Sequence, residues 1–534
     1  MSFTESLEAI VAENRNQLLS KHDSWERVRL GDVVDILNGF PFESSQFSDR
    51  GDGTPLIRIR DIVRGTTDTS YIGVYLPEFL IEPGDLLIGM DGDFNCAFWR
   101  GETGLLNQRC GKLSVVSECF DGRFLAYCLP GYLAAINAHT SSVTVKHLSS
   151  RTVADIPLPL PPEREQSRIA DALDELLSDL DAGVKALESV RAKLRQYRAA
   201  VLKAAVEGAL TAEWRKAHPD VQPASELLKR ILAERRRRWE KAQLKKYKDA
   251  AKEPPKNWKA KYEEPISPDV TKLPSLPVSW CWATVDQCSR VIQYGTSAKA
   301  NEINDGGVPV IRMGNIVADG RIDATQLKYL PRDHDEFPAL LLEAGDLLFN
   351  RTNSAELVGK TGYFRGEPSP CSFASYLIRI RTAELVTPQT VMFALNSAFG
   401  RSWIKSVVTQ MVGQANVNGS KLAAFSFPLA PLDEQSTIVE AVDDQLSIIE
   451  HLESDLEAKL KSAQALRQSI LKVAFEGKLV PQDPSDEPAS ELLKRIAAER
   501  AERERLAKQA MKPAKPTKVR GPKRRQNVNA IGTA

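Results

Sequence analysis

Two stretches of the chain carry apolar residues at steps of three and four, the pattern of a long amphipathic helix. Each stretch follows a proline-rich segment, at 157–162 and at 428–431. Proline suits the first turn of a helix, and Gly208 and Gly477 supply residues that can adopt a left-handed cap at the far ends. About 45 residues at about 1.5 Å each correspond to a helix about 68 Å long. We therefore predict two long helices.

The apolar residues of these helices are spaced as in a coiled-coil seam, so we predict that the two helices pair antiparallel with each other. The alternative is that each helix packs on its own globular neighbour. The helix-pair interface is predicted to contain Ile169, Leu173, Leu176, Leu180, Leu187, Leu194, Ile438, Val442, Leu446, Ile449, Leu456 and Ile470.

The chain contains an internal repeat of the order A–B–A′–B′, in which the long helices are the B segments. Residues 165–210 align without a gap onto 434–479, with 17 identical residues among 46. The sequence PASELLKRI follows in both halves. The A segments are more divergent, although GTPLIRIRDI at 53–62 still matches GVPVIRMGNI at 307–316. Two related but unequal halves are therefore expected.

The A segments contain short runs rich in Ile, Leu and Val, interrupted by Gly, Asp and Pro, which predicts mixed α/β domains. Examples of these runs are PLIRIRDIV and YLIRIRTA, and EPGD and EAGD are expected to be turns that lead into the strands LLIGM and LLFNR. Helices are expected near 120–138 and 388–408. The predicted fold class is α+β, with two mixed α/β domains separated by two long antiparallel helices in a coiled coil and an internal pseudo-two-fold repeat.

The expected organisation has eight segments. They are an N-terminal helical segment (1–23), a first mixed domain (24–155), a first long helix (156–211), a basic helical linker (212–272), a second mixed domain (273–425), a second long helix (426–480), a C-terminal helix (481–510) and a basic flexible tail (511–534).

Charge is balanced over the whole chain but not along it. The 71 Lys and Arg residues against 70 Asp and Glu give a net charge of +1, which excludes a uniformly basic or acidic protein. Residues 229–261, however, hold 14 basic and four acidic residues, and eight basic residues with no acid follow Leu506. Such tracts are typical of a solvated helix face or a disordered tail, or of contacts to phosphate groups.

The sequence carries no recognisable catalytic signature. It has neither HExxH nor GxSxG, and SAELVGKT at 354–361 lacks the first glycine of a phosphate-binding loop. The seven cysteines form no CxxC pair, which indicates free thiols in a reducing compartment. No apolar run is long enough to span a membrane, and the N-terminus is not a signal peptide. We predict no catalytic residue and no metal site.

Several motifs together resemble the specificity subunit of type I restriction-modification enzymes. They are the A–B–A′–B′ order, the PxxEQ junctions at 162–166 and 431–435, the GDLL strands and the EGxL…PASELLKRI ends, over about residues 25–510. The resemblance implies a non-catalytic subunit whose A segments are target-recognition domains, each reading one half of a bipartite asymmetric site in double-stranded DNA. The helices would set the spacer and dock two methyltransferase subunits, with restriction (translocase/nuclease) subunits joining them.

The resemblance also implies that the chemistry lies elsewhere in an adenine-N6 methyltransferase and endonuclease complex that defends the cell against foreign DNA. S-adenosylmethionine, ATP and Mg²⁺ are expected on the partner subunits and no cofactor on this chain. A cytoplasmic location without a membrane is expected.

Base-reading residues can be predicted only from side-chain chemistry, because Arg pairs with guanine and Asn or Gln with adenine. The loop GQANVNGSKL at 413–422 is polar and free of acids, and HTSSVTVKHL at 139–148 is its expected counterpart. The predicted DNA-binding residues are Arg58, Arg60, Arg64, Lys146, His147, Arg312, Asn315, Arg351, Asn353, Gln414, Asn416, Asn418 and Lys421.

One observation opposes a DNA-binding function. Residues 24–155 contain 12 basic and 17 acidic residues, and residues 280–424 contain 14 and 13, although phosphate binding usually needs a positive face. We expect segregated charge and help from partner subunits. The alternatives are a coiled-coil scaffold that joins two protein ligands, and an enzyme that acts on nucleic acid by itself.

Overall fold

The computed structural model describes residues 6–140, 146–317, 320–354, 357–411 and 414–510. It divides into two compact units, of which the first comprises Met1–Ala186 with Lys459–Ala534 and the second Leu187–Ala458. The boundary falls within both long helices, so each helix contributes one half to each unit.

Fourteen α-helices occur in the described residues. They are α1 (Leu7–Glu13), α2 (Leu30–Val33), α3 (Ile59–Arg64), α4 (Gly122–Ala138), α5 (Ser150–Ala154), α6 (Glu163–Val206), α7 (Ala212–Ala217), α8 (Ala224–Asp249), α9 (Val285–Cys288), α10 (Pro388–Asn396), α11 (Ala398–Val407), α12 (Gly419–Ala423), α13 (Leu432–Phe475) and α14 (Ala489–Ala510).

The strands are short, and those of the sheets that the two halves share follow the same order. Those of the first half are β1 (Glu26–Arg29), β2 (Val34–Asn38), β3 (Phe47–Ser48), β4 (Thr54–Ile57), β5 (Ser70–Tyr71), β6 (Leu80–Ile81), β7 (Leu86–Gly89), β8 (Asn95–Phe98), β9 (Gly104–Leu106), β10 (Cys110–Val115) and β11 (Pro157–Leu160). Those of the second half are β12 (Cys281–Thr284), β13 (Ser289–Tyr294), β14 (Val308–Ile311), β15 (Lys328–Leu330), β16 (Leu347–Asn350), β17 (Thr352–Asn353), β18 (Thr361–Tyr363), β19 (Ser372–Phe373), β20 (Leu377–Thr382), β21 (Thr409–Met411), β22 (Gln414–Asn416) and β23 (Ser426–Leu429).

Both units use one sheet plan. The antiparallel sheet β2–β10–β7–β8 of the first unit corresponds to β13–β20–β16–β18 of the second. The parallel pair β4–β9 corresponds to β14–β19, and the antiparallel pair β1–β11 corresponds to β12–β23. The predicted mixed domains and internal repeat are therefore confirmed at the level of strand pairing.

Most of the predicted local elements are confirmed. LLIGM and LLFNR form β7 and β16, and the helix expected near 120–138 is α4. The helix expected near 388–408 is divided into α10 and α11 at Ser397, whose extended backbone and side-chain cap begin α11. The proline-rich segments before the long helices form the edge strands β11 and β23.

The run PLIRIRDIV is divided between a strand and a helix. Strand β4 ends at Ile57, and the next residues form α3. The cause is Asp61, whose buried carboxylate accepts a hydrogen bond from the Arg58 backbone N–H at 3.0 Å and so caps the helix.

The two long helices run antiparallel within each unit. In the second unit the end of α6 adjoins the start of α13, and Arg198 forms an ion pair with Glu453 of α13 at 2.8 Å. In the first unit Asp181 of α6 pairs with Arg467 of α13. The antiparallel coiled-coil prediction is confirmed in this form.

The buried faces of these helices contact the mixed domains as well as each other. Ile169 and Leu173 belong to the core of the first mixed domain, and Ile438 and Val442 to that of the second. Both packing modes predicted from the sequence are therefore present. The predicted interface residues Leu194, Leu446, Ile449 and Leu456 are also buried, and Leu180, Leu187 and Ile470 are half-buried.

Leu176 is the exception in the predicted interface. Its side chain is 41% exposed, whereas the adjacent Leu177 is 3% exposed and packs in the core of the first unit. After Leu173 the buried face continues at a spacing of four residues, which favours Leu177 over Leu176.

Candidate nucleic-acid interface

Each mixed domain is joined to the start of a long helix by the same buried contact. The Trp25 indole Nε1–H donates to Glu165 at 3.1 Å, and that of Trp280 donates to Glu434 at 2.8 Å. All four residues are buried. This contact explains why the repeat retains a tryptophan at the start of each domain and a glutamate at the start of each helix.

The glycine at the end of the other long helix completes each junction. Gly208 and Gly477 have φ values of +74° and +68°, a conformation that other residues rarely adopt. A Cβ atom on Gly208 would lie 3.2 Å from the Trp280 ring, and one on Gly477 would lie 3.0 Å from the Trp25 ring. The predicted helix-ending glycines are confirmed, and close approach to tryptophan is a second reason for them.

The glutamine of each EQ pair fixes the first helix after the sheet. Gln166 accepts a hydrogen bond from the N–H of Asp121 at 2.9 Å, and Gln435 accepts one from the N–H of Thr387 at 2.7 Å. Asp121 and Thr387 are the N-cap residues of α4 and α10. The EQ motif is therefore part of the framework that positions the loops and does not itself face a ligand.

The two junctions differ in the second partner of the glutamate. Gln482 donates to Glu165 in the first unit, whereas Thr211 and Arg215 donate to Glu434 in the second, at 2.6 Å and 2.5 Å. With neutral donors only, burial raises the pKa of Glu165 above its ordinary value. The second junction is thus a buried ion pair and the first is not.

In the second mixed domain, the structure brings most of the predicted DNA-binding residues together. Strand β17 pairs with β22, which places Thr352 opposite Asn416. The carbonyl of Arg351 accepts a hydrogen bond from Val417 at 2.9 Å, and its guanidinium lies 4.8 Å from the Tyr294 ring centroid. Arg351, Tyr294 and Asn416 therefore form one exposed or half-exposed surface.

Two further predicted residues adjoin this surface through α12. Asn418 caps that helix by accepting the N–H of Lys421 at 2.8 Å, and the Lys421 ammonium donates to the Val407 carbonyl at 2.6 Å. Asn353 and Gln414 belong to β17 and β22, but their side chains lie outside the described part of the structure.

Arg312 and Asn315 are placed apart from this surface, at the end of β14. Asn315 is 6% exposed, its oxygen accepts the Arg312 N–H at 2.9 Å, and its amide donates to the Asp323 carbonyl at 2.8 Å. With its donor and acceptor both engaged, Asn315 holds the framework at the end of β14, and its predicted base contact stays a prediction. Arg312 is half-buried and donates to the Gln326 carbonyl at 3.3 Å.

The equivalent surface of the first mixed domain contains a charged cluster. His147 hydrogen bonds to Asp91, and their backbones form a bridge that corresponds to the pairing of Asn416 with Thr352. Arg109 lies 3.3 Å from the Asp91 carboxylate and 3.2 Å from the His147 ring nitrogen. The structure thus places the predicted His147 beside an arginine that the sequence did not single out.

Arg109 is the clearest candidate that sequence analysis missed. It is 51% exposed and has a φ of +73°, a strained conformation for a residue other than glycine. Its carbonyl accepts the N–H of Met90, as the carbonyl of Tyr376 accepts that of Arg351. The signal that could have revealed it is its position directly before the strand that matches β20.

The remaining predicted residues of the first domain divide into framework and surface. Lys146 donates to the Asn137 carbonyl at 2.6 Å and so caps the end of α4, and Arg58 is half-buried beside Asp61 at 3.6 Å. Both side chains are engaged with the framework, and their role in DNA binding stays a prediction. Arg60 is 69% exposed, and Arg64 is exposed in a surface ion pair with Asp68, so these two stay predictions.

All seven cysteines lie in the described ranges as free thiols, and six of them are buried. Burial raises the pKa of the Cys96, Cys110 and Cys371 thiols to about 12. Across these ranges, no three His, Cys, Asp or Glu side chains are grouped so that they could hold a metal ion. Of the helices described, none has the length and apolar character needed to cross a membrane.

Comparison with known proteins identifies the fold and its role. The family model of the Type I restriction modification DNA specificity domain matches residues 22–189 and 288–462. The chain belongs to this family. It is 34% identical over 511 residues to the type I restriction enzyme EcoBI specificity subunit of Escherichia coli, covering 94% of this chain and 98% of the relative.

Other members support the same assignment. The EcoKI specificity subunit of Escherichia coli strain K12 is 25% identical, over 90% of this chain and 96% of that one. A solved chain from a study of complex assembly and conformational transition of the type I R-M system shares the fold with a TM-score of 0.50 and 17% identity, covering 85% and 98%. The chain is a non-catalytic DNA specificity subunit that works with other subunits, and the scaffold alternative is not favoured.

Proposed function

We propose that the two mixed domains of this specificity subunit each read one half of a bipartite asymmetric DNA site. The observation that carries the proposal is a common framework with different side chains at equivalent surface positions. The first domain presents Arg109 and His147 where the second presents Tyr376 and Asn416. Different donors and acceptors at one structural position would select different bases.

The same proposal assigns the long helices to spacing and to partner binding. Two methyltransferase subunits would dock on α6 and α13, restriction subunits would join them, and these partners would hold S-adenosylmethionine, ATP and Mg²⁺ in the cytoplasm. Apolar side chains left exposed on the two helices support this assignment. They are Leu176, Val190, Ile448, Leu452 and Leu466.

Exchange of one domain tests the assignment of half-sites. Replacing residues 25–154 by those of a relative should change one half of the methylated sequence completely and leave the other half and the gap unchanged, because the two readers are separate. The control replaces residues 280–424 and should change only the other half. Methylated sites are mapped by sequencing DNA from cells that express the whole system. Changes in both halves after one exchange would contradict the proposal.

The isolated chain should bind its own site weakly, since neither mixed domain is basic and much of the phosphate contact is assigned to partners. We expect an affinity at physiological salt at least about 100-fold below that of the complex with methyltransferase subunits, measured by fluorescence anisotropy on one duplex. Equal affinities would show that the chain alone supplies the contacts.

A further inference from the structure

The helices α8 and α14 are the same element in the two halves, and they dock in the same way. Ala224, Leu227 and Ile231 of α8 are buried in the second unit. The matching residues Ala489, Leu492 and Ile496 of α14 are equally buried. Arg235 pairs with Asp286 of α9 at 2.8 Å, as Arg500 pairs with Asp32 of α2 at 2.6 Å. Docking therefore accounts for the features that the two helices share.

Beyond this docking region, α8 carries a basic stripe that α14 lacks. We define the α8 basic stripe as Arg237, Lys241, Lys245 and Lys248, which follow one another at steps of four, four and three on one helix face. All four are exposed. In α14 the positions of the first three are occupied by Glu502, Leu506 and Ala510. The stripe is therefore not needed to dock the helix.

The charge of the stripe is largely uncompensated. Arg237 pairs with Glu234, but Lys241, Lys245 and Lys248 form no ion pair with any residue in the described ranges. In α14, by contrast, Lys494 pairs with Glu491 and Arg505 with Glu502. Three adjacent ammonium groups without counter-charges repel one another, which favours an external anion along the stripe.

The face of α8 that lies opposite the stripe packs against the residues that follow the helix in the chain. Trp239 stacks on Trp258 with ring centroids 5.9 Å apart, and Tyr262 lies edge-on to Trp239 at 5.3 Å. Arg236 lies 5.4 Å over the Tyr262 ring, and Lys259 pairs with Glu240 at 3.3 Å. In α14 a glutamate, Glu504, replaces Trp239. The helix that carries the stripe, α8, is therefore also the one that is held in place by these additional contacts.

Duplex DNA is the anion that fits this surface best. Residues 229–261 hold 14 basic and four acidic residues, whereas the second mixed domain has 14 and 13 over residues 280–424. The linker therefore supplies the positive charge that the domain lacks. From Arg237 to Lys248 the stripe extends about 16 Å, long enough to meet several phosphates of a backbone that carries one charge per about 1.7 Å of duplex.

We propose that the α8 basic stripe is a phosphate-binding site that holds duplex DNA without regard to its sequence. The inference rests on the proposed function only in that the chain binds DNA. Arg235 donates to the carbonyl of Ser289 at the start of β13, whereas Tyr294, at the end of that strand, belongs to the proposed reading surface. Five strand residues correspond to about 17 Å, so the residue of α8 that precedes the stripe docks at the end of β13 away from Tyr294.

The test compares the salt dependence of DNA binding between two triple variants of the full-length chain. In the stripe variant, Lys241→Gln, Lys245→Gln and Lys248→Gln remove three charges. In the matched variant, Lys494→Gln, Arg505→Gln and Lys508→Gln remove three exposed charges from α14. Binding of a fluorescent 30-base-pair duplex of random sequence is measured by anisotropy between 50 and 200 mM salt.

Each phosphate contact contributes about 0.9 to the steepness of the slope of log affinity against log salt. Removing three contacts should therefore make the slope of the stripe variant shallower by up to about 2.7. The wild type then weakens about 40-fold more than the stripe variant between 50 and 200 mM salt. The α14 variant should keep the wild-type slope. Because the duplex has no specific site, this result does not depend on which half-sites the domains read.

Two outcomes would overturn the inference. The first is an unchanged slope in the stripe variant; if that variant also no longer co-purifies with methyltransferase subunits, the stripe is a protein contact. The second is an equal loss of slope in both variants, which would show that only net charge matters. Thermal unfolding of both variants at the wild-type temperature confirms that the folds are intact.

Discussion

Inserting four helix-forming residues after Val190 in α6 and four after Ala458 in α13 should move the methylated half-sites further apart without changing either one. Both insertions lie near the boundary between the two units, and because they are equal in length the two helices are extended by the same amount. Four residues lengthen each helix by about 6 Å, close to two base-pair steps of about 3.4 Å.

The expected effect on the original site is large. Two weak half-site contacts on one chain act together only when both can form, and loss of that geometry typically lowers the apparent affinity by about 10²–10⁴-fold. Methylation at the original gap should therefore fall at least about 100-fold, while sites with a gap one or two base pairs longer become methylated. The measurement is sequencing of methylated DNA from cells that express the complete system.

A substitution of equal chemistry and unchanged length provides the control. Residues 189–192 are all exposed, so replacing them by the same four helix formers should leave both the gap and the methylation level as in the wild type. New half-site sequences after the insertion, or an unchanged gap, would show that the helices do not set the spacing.

Glu434→Gln should destabilise the second unit by about 3 kcal/mol, whereas the equivalent Glu165→Gln should be nearly neutral in the first. Glu434 is buried and neutralises Arg215, which is itself largely buried. Its loss leaves a guanidinium without a counter-charge in the interior. Glu165 accepts only from Trp25 and Gln482, and the Gln482 amide can turn to accept from a glutamine at 165.

Hydrogen exchange measured by mass spectrometry distinguishes the two units within one chain. Peptides around 205–215 and 428–440 should lose protection by roughly 100-fold in Glu434→Gln, which is the exchange equivalent of about 3 kcal/mol. Peptides around 20–30 should keep their protection in Glu165→Gln. The double variant Glu434→Gln with Arg215→Met should recover most of the loss, because it removes both charges. Equal losses in both single variants would contradict the ion-pair argument.

The same pair of junctions predicts a dependence on pH. Burial raises the pKa of Glu165 in the folded chain above the ordinary value of 4.5, so the folded state keeps this proton to a higher pH than the unfolded state. The contribution of Glu165 to stability is therefore fully present below pH 4.5 and is lost as the pH rises through its folded pKa. Glu165→Gln should abolish this decline in protection of the first unit.

The long helices and the repeat could be predicted because their signals are local. A period of three and four residues, a proline-rich start and a helix-ending glycine lie within one segment, and each acts through neighbouring backbone groups. The failures occurred where a single side chain changed a local preference. Asp61 converts the end of an apparent strand into α3, and a one-residue change of phase exchanges Leu176 for Leu177.

The surroundings of the candidate site residues could not be predicted from the sequence, for a related reason. Asn315, Lys146 and Arg58 have the chemistry of base readers, but each is engaged with a framework partner. Arg109 has the same chemistry and remains exposed, because its partners Asp91 and His147 lie at the surface. Residue type alone does not distinguish an engaged side chain from an exposed one.

The sequence by itself therefore determined two unequal halves, two long antiparallel helices and the family to which they belong, since periodicity, caps and repeated motifs depend on residues close together in the chain. Only the tertiary structure decided which polar side chains are available to a ligand. His147 meets Arg109 across 38 residues and Asp91 across 56, and hydrogen bonds over such separations exist only once the sheets have formed.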